Sequence, residues 1–478
     1  MISPFGLAVA GVGALALLVP IWWSLLLLVV FAPFRTAMAF SPPGMGGASV
    51  LVPHFFVAFF VLRVLKRVGP GPMIGALSPR SAGFALALVV AYGLVGTLFY
   101  PRVFAGITET VSLQRGLDGD TVLVLTPLAF GGTYVTQGIY ALGGLVTFAA
   151  AFALFRTHRM WERLLVAMLA LCTLNVVLAL LDLLTHMTGT SGLLGFVRNA
   201  SYGLLVEAEK GGLKRIVGSF SEASAFAVFT LALFAFSASL WLDRVVVPRL
   251  SALLTALLLG LLLAATSGTG YVGLVLVLAF LAARHVGLRT GGRAGGRLGM
   301  MLGLGLIGIA GALAFVVLAP GATEAIGLFV QETVFDKVDS QSGQERGMWN
   351  AVAFQNAVDT WGLGVGIGGA RASSYALVLL SNVGVPGLLL YLVFIGKVLF
   401  ARPSVALDAR EGSVLRAVRA ALVGFLAGHV LVGTIFDQSP LFYALCGALA
   451  AATLVPVGVV SRSAAPAAPA LRHSFARA

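Results

Sequence analysis

Charge is scarce in this chain. Asp, Glu, Lys and Arg together make up 10% of its 478 residues, too few to cover an ordinary water-soluble domain. Cysteine is nearly missing. The two present, Cys172 and Cys446, lie inside apolar runs, where a small buried hydrophobe is the expected role. A disulfide framework or a cysteine metal site has no support. Histidine is sparse, six residues in all, with no HExxH, no Cys/His cluster and no serine–histidine constellation, so no metal and no cofactor is expected. Strand-like alternation is also absent: the apolar runs are long and continuous, which excludes a membrane β-barrel.

Apolar residues are what the chain has. They account for 59% of it, with a mean hydropathy of +1.00. Runs of about 20 apolar residues recur, each long enough for a hydrocarbon core of about 30 Å. The sequence therefore predicts an all-α, polytopic membrane protein of about twelve spans. These fall near 5–32, 48–66, 82–100, 137–156, 161–185, 221–242, 246–265, 270–285, 299–319, 373–399, 414–436 and 439–460. They form one polytopic domain over 1–460, followed by a disordered Ala/Pro-rich tail, 461–478. The first run contains Pro20, which leaves it tilted or split. "AMA" at 37–39 resembles a signal-peptidase site, but "MISPFG" has no positive n-region and the run is too long for an h-region. It is read as an uncleaved helix.

The loops alternate in charge. One set, from Arg63 to Arg80, Arg156 to Arg163, Arg244 to Arg249, Arg284 to Arg297, Lys397 to Arg419 and the tail, holds 21 basic residues against Glu162, Asp243, Asp408 and Glu411, a net of +17. The rest of the chain holds 10 basic and 14 acidic residues, a net of −4. The positive-inside rule places that first set and both termini in the cytoplasm. The formal charge of +13 is then a topology signal, and no nucleic-acid partner is implied. The long loops, about 101–136, 186–220 and 320–372, face outside, with the short tips "TSGTG" (266–270) and "FDQSP" (436–440).

Three stretches stand out. "GVGIGG" at 364–369 matches GxGxxG, but no βαβ unit or following acidic residue accompanies it. Its glycines, Gly366 and Gly368 among them, read as a tight re-entry that lets the backbone approach a ligand or another helix. Arg371, Ser373 and Ser374 follow, at the head of a long apolar run broken by Asn382 and "GVPG". In "EKGGLKRIVGSFSEASAFAVF" (209–229), Lys214 and Arg215 precede a glycine turn, and Ser221 and Glu222 lead into a span. A serine cap with an acid in the first turn is ordinary helix-start chemistry, but it leaves the basic pair unexplained. In "SQSGQERGMWNAVAFQNAVDTWGLGVG" (340–366), Arg346 opens an amphipathic helix whose apolar side would be Trp349, Val352, Ala353, Val358 and Trp361. That helix could simply lie in the interface, with Arg346 a solvated surface residue. His429 reads as a packed structural residue. "GGRAGGR" (291–297) lacks GK[ST] and reads as a flexible linker.

"RIVGSFSEASAFA", "TSGTGYVGL" and "SGQERGMWNAVAFQNAVDTWGLGVGIGGARASSYALVLLSNVGVPGLLLYL" resemble segments of the O-antigen polymerase and ligase superfamily. The resemblance covers roughly 215–392 in detail and the rest only in topology. It implies a GT-C-like membrane glycosyltransferase. Such enzymes take a glycan on undecaprenyl diphosphate and transfer it to an acceptor sugar hydroxyl at the periplasmic face, without nucleotide or metal. The ligase branch typically carries a histidine just before the helix that follows the glycines. The corresponding residues here read "RASSYA", which favours a polymerase of exopolysaccharide, capsule or O-antigen repeat units. A ligase-type transferase and a glycan transporter or flippase are the competing readings. The expected partners are the lipid-linked glycan, the lipid bilayer, and a chain-length regulator and flippase of the same pathway.

A lipid diphosphate leaves readily once its charge is neutralised, so the site needs cations. Arginine suits this role because it binds phosphate bidentately and stays charged. Arg215, Arg346 and Arg371 are the expected phosphate ligands, with Lys214 as support and Ser373 and Ser374 donating to phosphate or sugar. Glu222 is the first choice to accept the acceptor's proton, and Glu345 the second.

Overall fold

In the computed structural model, residues 2–41, 49–115, 121–200, 209–210, 213–287, 341–404 and 407–453 are described. Among them, seven helices are long and apolar enough to cross a membrane. They are α5 (Ala82–Val103), α6 (Gly132–Thr157), α7 (Trp161–Met187), α8 (Ala223–Asp243), α10 (Gly268–Gly287), α12 (Tyr375–Phe400) and α13 (Ala409–Val432). Shorter helices are α1 (Pro4–Ala16), α2 (Ile21–Val30), α3 (Val52–Val68), α4 (Pro70–Gly75), α9 (Pro248–Ala264), α11 (Gln341–Asp359) and α14 (Pro440–Thr453). The expected span at 299–319 and the tail lie outside the described residues.

The surface fits a lipid solvent. Leu98, Phe99, Ile139, Leu180, Val275 and Leu392 are all exposed on these helices, an arrangement that water would oppose and hydrocarbon accepts. The core is built around α8, which is buried along almost its whole length and packs against α7, α9, α10 and α13. Polar side chains within the bundle find one another: Asn175 donates to Thr230 at 3.0 Å and Thr255 to Ser237 at 3.1 Å. His429 bonds the Phe425 carbonyl at 2.9 Å, the structural role expected of it. Both cysteines are buried and free, as expected.

The first apolar run is not a single span. Pro20, without an N–H to donate, begins α2 and separates it from α1. The two helices form a hairpin. The Ser3 N–H donates to Ala39 O at 3.0 Å, and Ile2 bridges Phe40. Arg63 caps the turn by donating to Val19 O at 2.5 Å. Ile2 therefore lies at the same end of the bundle as residues 36–40, beside the Ser219 turn that Thr36 bonds. This corrects the expectation that the N-terminus shares the basic end. Residue 453 does lie there, next to Ser404, whose N–H donates to Ala452 O.

Strands occur where none was expected. β3 (Glu109–Arg115) and β4 (Thr121–Pro127) pair antiparallel in the loop after α5. "ETVSLQR" and "TVLVLTP" are β-branched and alternating, but too short to register beside 20-residue apolar runs. Two shorter hairpins join β1 (Met38–Phe40) to β2 (Val50–Leu51) and β5 (Glu209–Lys210) to β6 (Leu213–Lys214).

The two ends of the bundle use charge differently. At the basic end each of the four acids has a structural partner. Glu162 takes Arg410 at 2.8 Å, Asp243 takes Arg284 at 2.7 Å and Arg416 at 2.8 Å, and Glu411 takes Arg159. Asp408 and Glu411 form the capping box of α13. The opposite, loop-rich end holds the starts of α8, α10 and α12 and the residues singled out from the sequence.

Candidate functional site

α8 begins where "SEASA" turns into the bundle. Glu222, not Ser221, occupies its N-cap position, and the carboxylate makes no cap bond to the helix N–H groups. It instead accepts from the Ser224 hydroxyl. The cap reading of Ser221 is thereby corrected, and the Glu222 carboxylate is left half-buried at the mouth of the helix.

Arg215 lies seven residues earlier, immediately after β6, which contains Lys214. It is half-buried, and its Nε is buried without a hydrogen-bond partner. Burial pulls the Arg215 pKa below the usual arginine value, the Glu222 carboxylate opposes that shift, and Arg346 adds to it. Tyr271, in the first turn of α10, also lies within electrostatic reach of Arg215. Arg215 thus lies within electrostatic reach of Glu222, Arg346 and Tyr271, a group drawn from three parts of the chain. Tyr271 is the member that sequence reasoning missed. It sits in "TSGTGYVGL", a stretch that carries the resemblance but from which the sequence singles out no residue.

Arg346 is carried by α11. This helix is fixed by Asn356, whose amide donates to Thr108 Oγ1 at 2.9 Å and to Glu109 O at 2.6 Å, beside β3. Its buried face is Ala353, Asn356, Ala357 and Thr360. Met348, Phe354, Val358 and Trp361 face outward; of the expected apolar side, Ala353 is buried, Trp349 and Val352 are half-buried, and Val358 and Trp361 are exposed. Such a face suits a membrane interface.

One turn beyond Arg346, Asn350 accepts the Ser373 N–H at 2.8 Å. That bond ties α11 to the segment carrying Arg371. Arg371 is half-buried, and burial lowers its pKa. Among the described residues it has no hydrogen-bond or ion-pair partner. The cause of that shift is burial. Ser373 is buried, and Ser374 is the N-cap of α12 without a side-chain cap bond.

The glycine segment has a clear packing role. Gly364, Gly366 and Gly368 have φ of +87°, +89° and +94°, the left-handed region that side chains disfavour. A Cβ on Gly366 would lie 2.7 Å from the Thr97 backbone of α5, and one on Gly368 would lie 2.7 Å from Thr133 O in α6. Asn382 holds the segment from the other side, accepting from Gly368 N at 2.8 Å and donating to Ala370 O at 2.9 Å. α12 itself breaks at Gly384, φ +62°. The Tyr375 and Tyr391 rings are 5.5 Å apart, whereas sixteen residues of straight helix would separate them by about 24 Å. The close approach allowed by these glycines is thus to neighbouring helices.

No family model, curated protein or solved structure matches the chain.

Proposed function

We propose that the protein is a membrane glycosyltransferase that polymerises undecaprenyl-diphosphate-linked oligosaccharide repeat units into a surface polysaccharide. It would act at the periplasmic face of a bacterial inner membrane. In the reaction the bond from the anomeric carbon to the diphosphate oxygen breaks. A bond from that carbon to the acceptor hydroxyl oxygen forms, the hydroxyl proton passes to Glu222, and the lipid diphosphate departs with the electron pair.

The observation that carries this reading is the contrast between the two ends. Acids at the basic end are paired, and at the loop-rich end Asp182 pairs with Arg198, whereas Arg215, Arg346 and Arg371 hold no ion pair among the described residues. Partly buried cations without a direct ion pair are costly in a membrane protein and mark sites for anions. A diphosphate at a membrane surface is such an anion, and the resemblance of 215–392 to polymerases supplies the chemistry. Lys214 adds charge beside Arg215, and Ser373 and Ser374 supply hydroxyls near Arg371. A chain-length regulator and a flippase are the partners this role requires.

Deleting the gene tests the reading. Surface polysaccharide should collapse to single repeat units. An unchanged distribution of chain lengths would refute it.

A further inference from the structure

The segment 215–222 has no regular secondary structure, yet it carries Arg215 at one end and Glu222 at the other. Its buried backbone groups need partners from elsewhere. One carboxylate oxygen of Asp182, near the end of α7, accepts Val217 N–H at 2.8 Å and Gly218 N–H at 3.0 Å. The other accepts Arg198 Nη2 at 2.6 Å. Arg198 also donates through Nε to Gly218 O at 2.9 Å. Both side chains are nearly inaccessible, at 5% for Arg198 and 2% for Asp182. One residue further on, Thr36 donates to Ser219 O at 3.0 Å, and Ser219 donates to Pro33 O at 2.8 Å.

A buried ion pair is a weak source of net stability, since apolar packing of the same volume often does as well. What a carboxylate provides and an apolar side chain does not is direction: it fixes two consecutive N–H groups. Arg215 has no hydrogen-bond partner on its buried Nε, so its placement is set by the backbone that follows it. We propose that Asp182 and Arg198 are positioning residues, forming a latch on Val217 and Gly218 that aims Arg215 at a diphosphate. The proposal rests on the functional reading above.

A double-mutant cycle on binding tests it. Purified full-length protein in detergent is titrated with undecaprenyl diphosphate, and folding of each variant is followed by its melting temperature. Arg215→Ala should weaken binding about tenfold or more, as expected when a charged partner is removed. Asp182→Asn keeps the shape but sets an amide against a guanidinium or an N–H, and should weaken binding about fivefold. The double variant should bind no worse than Arg215→Ala alone, because Asp182 acts through Arg215. Arg198→Lys, which retains charge but loses the fork, enters the same cycle should Asp182→Asn not fold.

Wild-type binding by Asp182→Asn, or losses that multiply in the double variant, would overturn the latch while leaving the functional reading standing. Wild-type binding by Arg215→Ala would remove that reading and the latch with it. Failure of both latch variants to fold would make the pair a fold determinant and overturn the proposal.

Discussion

Arg371 shows how much a single residue can say. Burial lowers its pKa, so folding favours its neutral form. The charge present at neutral pH therefore opposes folding and is not offset by a partner. Arg371→Gln should consequently leave the melting temperature unchanged or raise it, while abolishing polymer; a lower melting temperature would make Arg371 a structural residue. Glu222→Gln tests the proton acceptor. The carboxylate makes no cap bond to lose, so stability should barely change, whereas turnover should fall roughly 10²-fold or more with donor binding retained. Near-normal chain growth would move the search to Glu345. Gly366→Ala tests packing. A methyl group at φ +89°, 2.7 Å from the Thr97 backbone, should destabilise the protein by about 1–3 kcal/mol, read as a lower melting temperature; an unchanged value would free that glycine for a ligand. Arg215, Glu222, Arg346 and Arg371 were legible in the sequence because charges are rare there. Tyr271 and Asn350 were not, because a tyrosine or asparagine in a long chain carries no signal until its neighbours are known.

At the scale of elements, the sequence located most helices but not how they bend. The 5–32 run reads as one span because hydropathy does not distinguish a crossing from a hairpin. Pro20 marked the break, but only the Ser3–Ala39 and Ile2–Phe40 contacts show that the chain returns. The 373–399 run breaks at Gly384, within the "GVPG" that interrupts it in the sequence. The apolar side of α11 was legible, but not its buried stripe, because Ala353, Asn356, Ala357 and Thr360 are buried against neighbours that the sequence does not reveal. Asn356 is its anchor to β3. Asn356→Leu should leave the Glu109 carbonyl unsatisfied and loosen α11, at a cost of about 1–3 kcal/mol. Protease sensitivity within 341–359 in the folded protein would report it; unchanged protection would show that the packing face alone holds the helix.

For the whole molecule, the asymmetry of charge is the basis of both the expected topology and the proposed function. Single cysteines at Gly131 and Gly189, at the loop-rich end, should react with an impermeant thiol reagent in whole cells, as should one at Ile2. One at Gly71, at the basic end, should react only after lysis. Labelling of Gly71 in intact cells would invert the orientation and carry the arginines to the wrong face. The Ile2 result separates the hairpin from a through-span. Positive-inside counting put the N-terminus with the basic loops, because it assigns sides by assuming that every apolar run crosses; the hairpin puts Ile2 at the other end of the bundle.

The most direct measurement is polymerisation by the purified protein, supplied with undecaprenyl-diphosphate-linked repeat units in nanodiscs without nucleotide or added metal. The wild-type protein should build a ladder of chain lengths, and Arg371→Ala, folded and equally abundant, should build none, with Arg371→Lys restoring only part. A ladder of equal length and rate from Arg371→Ala would contradict the central claim that unpaired arginines at the loop-rich end hold the leaving diphosphate.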